Sequence, residues 1–258
     1  MKKVFSFFAK YTYSLLAAIY LFTLGIFSGR ERAFLGVFAS HFGLHMGKKI
    51  PTLLIPEVSP NEVMSGSEAI VIREPEAVSG NVSLLELTLI NWFVKKMRAR
   101  NLFEIGTFDG RTTLNMAANS SDGTVFTLDL ASAKTIETEF AITGDKKFIP
   151  NQKRTLRFVN TPEENKIKRL FGDSATFDFS PFKNQIDLLF IDGAHTYEYV
   201  TSDTKRTESI MREHGLILWH DYGTWEGVTR GLNELYKTNS RYANIKHIKG
   251  TSLAYLYL

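Results

Sequence analysis

The sequence predicts an α/β protein with a doubly wound, mostly parallel sheet, and three observations support this. From residue 102 onward, short apolar runs alternate with segments of helical periodicity, the order that produces a parallel sheet covered by helices on both faces. The 258 residues, 44% of them hydrophobic, suffice for one such domain with an extension. The absence of cysteine excludes disulfides, thiolate metal sites and cysteine nucleophiles.

Residues 1–49 predict a hydrophobic helical extension. Residues 11–29 contain no charged side chain, and lysines and arginines lie on both sides of them. This length is close to that of a membrane-spanning helix, so membrane association through residues 11–29 is one interpretation. The other is that the helix packs on the domain or on a partner subunit. Phe34, Phe38 and Phe42 predict a second helix over residues 33–46, which fits a membrane interface. We expect a cytoplasmic protein whose membrane attachment, where present, is to the cytoplasmic face of the inner membrane.

The charge distribution argues against nucleic acid as a partner. The net charge is +4, but residues 1–50 alone carry seven lysines and arginines against one acid. The remaining residues carry 24 basic side chains against 26 acidic ones. With this slight excess of acids, residues 51–258 lack the broad positive surface that nucleic-acid binding needs.

The rest of the chain divides into a linker over residues 50–80, which holds four prolines, and a folded domain over 81–258. Within the domain, apolar periodicity predicts helices over residues 82–97, 112–118, 133–140, 197–211 and 226–236. Strands are predicted over residues 102–106, 124–130, 168–171, 187–192 and 215–221. The last 14 residues contain two short β runs joined around Lys249 and Gly250, which predict a hairpin with an antiparallel strand at one edge.

A glycine-containing loop follows the first predicted strand, in the stretch EIGTFDGRTT. Gly106 and Gly110 permit a tight turn and a close backbone approach to a ligand, and a helix N-terminus follows. The spacing differs from the G-x-G-x-x-G of dinucleotide-binding proteins, which makes an NAD(P)-dependent enzyme the less favoured alternative. An ordinary strand-to-helix turn is the other reading of the glycines.

Two acids follow the next two strands. Asp129 ends TVFTLD, where a carboxylate about 20 residues beyond the glycines can accept hydrogen bonds from ribose hydroxyls. Asp173 lies in GDS, where it either lines an adenine pocket or caps a helix.

Four further polar residues lie past the ends of two later strands. Asp192 and His195 follow the apolar run in DLLFIDGAH, and His220 and Asp221 end LILWHD. Ligands of open α/β sheets bind outside the carboxyl ends of the strands, so we expect these side chains to converge. Two carboxylates and two imidazoles can bind a divalent cation, and a histidine can remove a proton at neutral pH. Each residue alone also fits a turn or a helix cap.

In this order, the motifs EIGTFDGRTT, TLDL, GDS, DLLFIDGAH and GTSLAYLYL resemble those of class I S-adenosylmethionine-dependent methyltransferases. Within that class they resemble the bacterial O-methyltransferase family whose first motif reads E-I-G-x-x-x-G. The resemblance covers residues 80–258. It implies a Rossmann-like sheet of seven strands with the last strand antiparallel. It also implies that seven residues bind S-adenosylmethionine: Glu104, Gly106, Thr107, Gly110, Asp129, Asp173 and Asp192.

The later motifs are similar to those of metal-dependent sugar and catechol O-methyltransferases. That resemblance implies that Asp192 and Asp221 bind magnesium and that His195 is the general base. His220 stands where the sugar enzymes carry an acid, so we group it with the ligands and expect magnesium, manganese or no metal. Tyr222 stands where the catechol enzymes carry an amide.

The sequence therefore predicts an O-methyltransferase that acts on a hydroxyl of a sugar, a glycan or another small polar acceptor. A non-catalytic, membrane-tethered binding protein on the same fold is a second alternative. A homo-oligomer is compatible with the sequence, which does not specify the number of subunits.

Overall fold

A computed structural model describes residues 2–29, 31, 34–35, 51–130, 137–142 and 155–258. The chain divides into two compact units, Met1–Lys49 and Ile50–Leu258. Apart from residues 34 and 35, the helix predicted over 33–46 lies outside the described residues. The same holds for residues 133–136 of the helix predicted over 133–140, whose last four residues form no helix.

Among its described residues, the first unit contains helix α1 (Lys2–Phe22) and a 3₁₀ turn (Gly25–Phe27). Large apolar side chains of this unit are exposed, among them Tyr11, Leu15, Ile19 and Phe27. Within the described part of the chain, no helix combines the length and the apolarity that crossing a bilayer requires.

The second unit is an α/β domain with strands and helices in alternation. Its strands are β1 (Glu57–Val58), β2 (Asn101–Ile105), β3 (Thr124–Asp129), β4 (Ile167–Phe171), β5 (Ile186–Ile191), β6 (Met211–Trp219), β7 (Lys246–Ile248) and β8 (Ala254–Tyr257). Its helices are α2 (Pro60–Val63), α3 (Leu84–Met97), α4 (Arg111–Asn119), α5 (Tyr197–Thr207) and α6 (Glu226–Thr238).

All eight strands form one sheet in the order β1-β7-β8-β6-β5-β2-β3-β4. Neighbouring strands are parallel except that β8 runs antiparallel to both β6 and β7. The doubly wound, mostly parallel sheet with an antiparallel last strand is therefore confirmed. The sheet has eight strands where seven were expected, because the segment predicted as a linker contributes β1, which pairs with β7.

The sheet is buried on both faces, which explains the continuous apolar runs of its central strands. Leu102 of β2 packs with helices α3 and α4 in one hydrophobic cluster. Its neighbour Phe103 points to the opposite face and packs with residues of α5 and α6 in a second cluster. Because β2, β3, β5 and β6 are parallel, their carboxyl ends lie at the same edge of the sheet.

Helix α3 shows how local sequence sets a boundary near that edge. The Ser83 hydroxyl accepts from the backbone N–H of Glu86, and the Glu86 carboxylate accepts from the backbone N–H of Ser83. This reciprocal capping box stabilises the helix start. The helix ends at Met97, and its C-cap residue Arg98 adopts the left-handed conformation.

The chain before α3 is attached to the domain by buried polar side chains. The Tyr222 hydroxyl accepts from the backbone N–H groups of Leu54 and Ile55 and donates to Asn233. The Arg111 guanidinium, which is fully buried, donates to three backbone carbonyls within residues 74–82. Tyr222 therefore attaches residues 54–55 to the domain, and Arg111 attaches residues 74–82.

Candidate active site

The glycine loop after β2 lies against the loop after β5. Gly106 has a φ of +100°, and a Cβ placed on it would lie 2.1 Å from the backbone oxygen of Asp192. Gly110 has a φ of +78° and precedes the first residue of α4. Both positions therefore favour glycine because of their positive φ. At Gly106 the close approach of the Asp192 backbone also leaves no room for a side chain.

Glu104, at the end of β2, lies beneath this loop and is fully buried. Its carboxyl group accepts hydrogen bonds from the hydroxyls of Thr113 and Thr127. Burial raises the pKa of Glu104 to about 8, because the charged form loses its hydration and also lies near Asp192 and Asp129. Thr107 shares the network, since its hydroxyl lies 2.6 Å from that of Thr127. This hydrogen-bond network therefore stabilises the glycine loop from its buried side.

The two predicted cofactor acids lie in the wall of one cleft. Asp129 ends β3 and Asp173 follows β4, and both line the cleft. The Asp173 carboxylate accepts hydrogen bonds from the backbone N–H of Ala175 and from the hydroxyl of Tyr199, 2.9 Å from Oδ2. Asp173 therefore both lines the cleft and stabilises the turn that follows it.

The cleft has a volume of about 300 Å³ and extends from these acids to the loops after β5 and β6. Ile105, Phe108, Leu128 and Leu130 form apolar parts of its wall. An apolar cleft with a few convergent polar groups is typical of a small-molecule site.

His195 lies at the far end of the cleft, beside Asp221. His195 Nε2 is 2.7 Å from Asp221 Oδ2. The imidazole stacks on the Trp225 ring, with 4.5 Å between the centroids and 16° between the planes. The carboxylate and the indole together hold the orientation of the ring. Asp221 has a φ of +65°, a left-handed conformation that aspartate tolerates better than most residues.

His220 lies behind this pair, among three carboxylates. Its Nδ1 is 2.9 Å from Asp192 Oδ1 and 3.3 Å from Asp221 Oδ2, and its Nε2 is 3.5 Å from Glu86 Oε2. Burial by itself lowers the pKa of His220, but the three carboxylates together raise it well above its usual value. Burial raises the pKa of Asp192. Burial also opposes the ionisation of Asp221, yet hydrogen bonds from both histidines hold its pKa below the usual range.

Glu86 is the member of this cluster that sequence reasoning missed. Its Oε1 accepts from the backbone N–H and the hydroxyl of Ser252, in the turn between β7 and β8. Burial opposes its ionisation, but His220 and the other donors hold the pKa of Glu86 well below its usual range. The S-x-x-E pattern at residues 83–86 signals a helix start, but it does not reveal that the carboxylate faces His220.

The predicted cation site can be tested against these contacts. Ligand atoms of Asp192, His195 and Asp221 lie within 4.8 Å of one another, a separation that a metal ion could bridge. However, one oxygen of each aspartate is already paired with a histidine nitrogen. His220, grouped above with the ligands, directs both nitrogens at carboxylates. The donor set therefore does not fit a divalent cation.

Comparison with known proteins gives a match to the central part of the chain. Residues 103–222 match a family model described as a methyltransferase domain. Uncharacterized protein R132 of Acanthamoeba polyphaga mimivirus is 30% identical over 121 residues, which are 46% of this chain and 50% of the relative. The chain thus spans about half the length of the curated relative that it matches.

Comparison with solved structures finds similarity at low sequence identity. One is a Staphylococcus aureus protein proposed to be a caffeoyl-CoA O-methyltransferase, with 17% identity and a TM-score of 0.50 over 76% of this chain and 87% of that one. Another is the O-methyltransferase TomG from Streptomyces achromogenes in complex with SAM, with 19% identity and a TM-score of 0.47 over 69% of this chain and 81% of that one. Residues 103–222 therefore match a methyltransferase domain, and the Staphylococcus aureus structure shares the fold of the sheet.

Proposed function

We propose that this protein transfers a methyl group from S-adenosylmethionine to a hydroxyl oxygen of a sugar, a glycan or another small polar acceptor. The observation that carries the proposal is the His195–Asp221 pair in the wall of the cleft, 2.7 Å apart. A histidine held by a carboxylate is a general base suited to deprotonating a hydroxyl at neutral pH.

The residues that would hold the cofactor line the opposite part of the cleft. The glycine loop at Gly106 keeps backbone close to a ligand without a side chain, and the carboxylate of Asp129 suits a pair of ribose hydroxyls. The segment around Asp173 and the apolar wall at Leu130 suit the adenine ring. When bound, S-adenosylmethionine supplies an electrophilic methyl group, which leaves the sulfur for the acceptor oxygen.

His195 would accept the proton that the acceptor hydroxyl loses as the new O–CH₃ bond forms. Because Nε2 lies beside the Asp221 carboxylate, it carries the hydrogen in the neutral ring, and Nδ1 is then the basic nitrogen. Once protonated, the ring is a cation beside a buried carboxylate, which stabilises it. The stack with Trp225 prevents the ring from turning away.

Cofactor binding is tested first, by calorimetric titration of S-adenosylmethionine into the full chain with NAD as the competing candidate. We expect saturable binding of S-adenosylmethionine alone. Asp129→Asn should weaken it by about tenfold or more, because a charge-assisted hydrogen bond is lost. The matched control is Asp122→Asn, an exposed acid next to β3, which should leave binding unchanged. Binding of NAD alone would instead support a nucleotide-dependent oxidoreductase.

Transfer is tested by release of S-adenosylhomocysteine in the presence of sugar, glycan and catechol acceptors. With an active acceptor, His195→Gln should lower kcat by about 10²- to 10⁴-fold at unchanged cofactor affinity, the usual contribution of a general base. A variant that keeps wild-type turnover at neutral pH would remove His195 from this role. Cofactor binding without transfer to any acceptor would favour the binding-protein alternative.

We also propose that α1 attaches the protein to an anionic membrane surface. Phe8, Tyr11, Leu15, Ile19 and Phe22 follow each other at intervals of three or four residues and are each about half exposed or more. This spacing places them along one side of the helix. The excess of lysine and arginine in residues 1–50 matches an anionic lipid surface.

The attachment is tested by co-sedimentation with vesicles of phosphatidylglycerol and phosphatidylcholine, and with phosphatidylcholine alone. The double substitution Leu15→Ser and Ile19→Ser should abolish binding to the anionic vesicles. Ala17→Ser, on the side of the helix away from the stripe, should not. Equal sedimentation of the two variants would contradict the proposal.

A further inference from the structure

We propose that the imidazolium of His220 is a resident cation, which takes the place between Asp192 and Asp221 that a divalent metal would occupy. The inference deepens and rests on the proposed function, because it concerns the same end of the cleft. It implies a methyl transfer that needs neither magnesium nor manganese.

The first step of the argument concerns Nδ1. This atom lies 2.9 Å from Asp192 Oδ1 and 3.3 Å from Asp221 Oδ2. Ionised carboxylate oxygens accept hydrogen bonds and cannot donate them. We therefore assign a hydrogen to Nδ1, where it lies between the two acids. A nitrogen in that state has no lone pair to offer a metal.

The second step concerns Nε2, on the other side of the ring. It lies 3.5 Å from Glu86 Oε2. Glu86 is itself held in place, because Ser252 donates to its Oε1 and the backbone N–H of Ser83 donates to its Oε2. Nε2 thus also faces an acceptor. A ring with a hydrogen on each nitrogen is a cation, and this state suits a carboxylate on either side of the ring.

The third step is the electrostatic consequence. Asp192 and Asp221 would repel one another across the end of the cleft, and a positive charge between them offsets that repulsion. The His220 side chain is only 10% exposed, so solvent screens its charge weakly. A divalent ion bound to the same carboxylates would meet an adjacent positive charge and would have to displace the hydrogen bonds of His220.

The experiment titrates Mn²⁺ into the full chain and follows free Mn²⁺ by electron paramagnetic resonance, without acceptor or cofactor. We expect the wild-type cluster to bind Mn²⁺ no more tightly than millimolar. His220→Glu replaces the cation by a third acid and should tighten Mn²⁺ binding by at least about tenfold, because a repulsive neighbour becomes a ligand. His214→Asn, at an exposed position, controls for binding elsewhere on the surface.

Because His220→Glu buries a new acid, His220→Asn is the second variant. It removes the charge, retains a donor, and should also tighten Mn²⁺ binding, though less. Micromolar Mn²⁺ binding by the wild type that Asp192→Asn abolishes would overturn the proposal. Failure of both His220 variants to tighten binding would overturn it as well.

Titration of S-adenosylmethionine into the same samples, with and without EDTA, separates this inference from the proposed function. Cofactor binding that is insensitive to EDTA supports a metal-free site. Tight Mn²⁺ binding together with normal cofactor binding would overturn the inference about His220 and leave the proposed function standing. Absence of cofactor binding would refute the proposed function, whatever the result with Mn²⁺.

Discussion

Replacing Gly106 by alanine tests the contact that joins the cofactor loop to the loop carrying Asp192. Two separate costs are expected. A φ of +100° is unfavourable for any residue with a Cβ, which costs about 1–2 kcal/mol. The new Cβ would also lie 2.1 Å from the Asp192 oxygen and 2.7 Å from its carbonyl carbon. Because these are backbone atoms, the strain cannot be relieved by a side-chain rotation, and overpacking adds about 1–3 kcal/mol.

Gly250→Ala is a matched control that carries only the first cost. Gly250 also has a positive φ, of +78°, but nothing lies within 4 Å of its added Cβ. Urea denaturation should show a loss of about 2–5 kcal/mol for Gly106→Ala and about 1–2 kcal/mol for Gly250→Ala. We further expect only Gly106→Ala to weaken the binding of S-adenosylmethionine. Equal losses of stability, with cofactor affinity intact in both, would refute the close approach of the two loops.

Three further predictions follow from buried polar groups. Because burial raises the pKa of Glu104 from 4.5 to about 8, its neutral form favours folding, and the free energy of unfolding should decrease as the pH rises between those values. Denaturation at pH 5 and pH 8 should show a smaller decrease in Glu104→Gln than in the wild type, since burial also raises the pKa of Asp203, to about 7, and that group still contributes. Tyr222→Phe removes the acceptor for the N–H groups of residues 54–55 and should cost about 1–3 kcal/mol in thermal or urea unfolding, whereas Tyr13→Phe, at an exposed position, should cost little. Arg111→Met removes the donor to three carbonyls of residues 74–82, and limited proteolysis should then cut that segment faster than in the wild type.

Much of the domain could be predicted from local pattern. The buried strands β2, β3 and β5 are rich in apolar residues, and their bounds agree with the prediction to within about two residues. Periodicity was less informative where one element passes directly into another. The helix predicted over 197–211 ends at Thr207, and a 3₁₀ turn leads into β6 at Met211. The two residues of β1 are too few to produce any periodic signal.

The candidate site residues could also be predicted from the sequence, because several acids and histidines follow directly after apolar strands of one sheet. The sequence by itself determined which side chains reach the carboxyl edge of the sheet, because strand ends are local features. Only the tertiary structure decided which of these groups touch. Glu86 precedes Ser252 by 166 positions, and its contact with His220 depends on the packing of α3 beside β6 and β8. Strand order and helix packing set such distances, and no spacing along the chain records them. For that physical reason, the sequence could propose His220 as a ligand while the folded chain surrounds it with carboxylates.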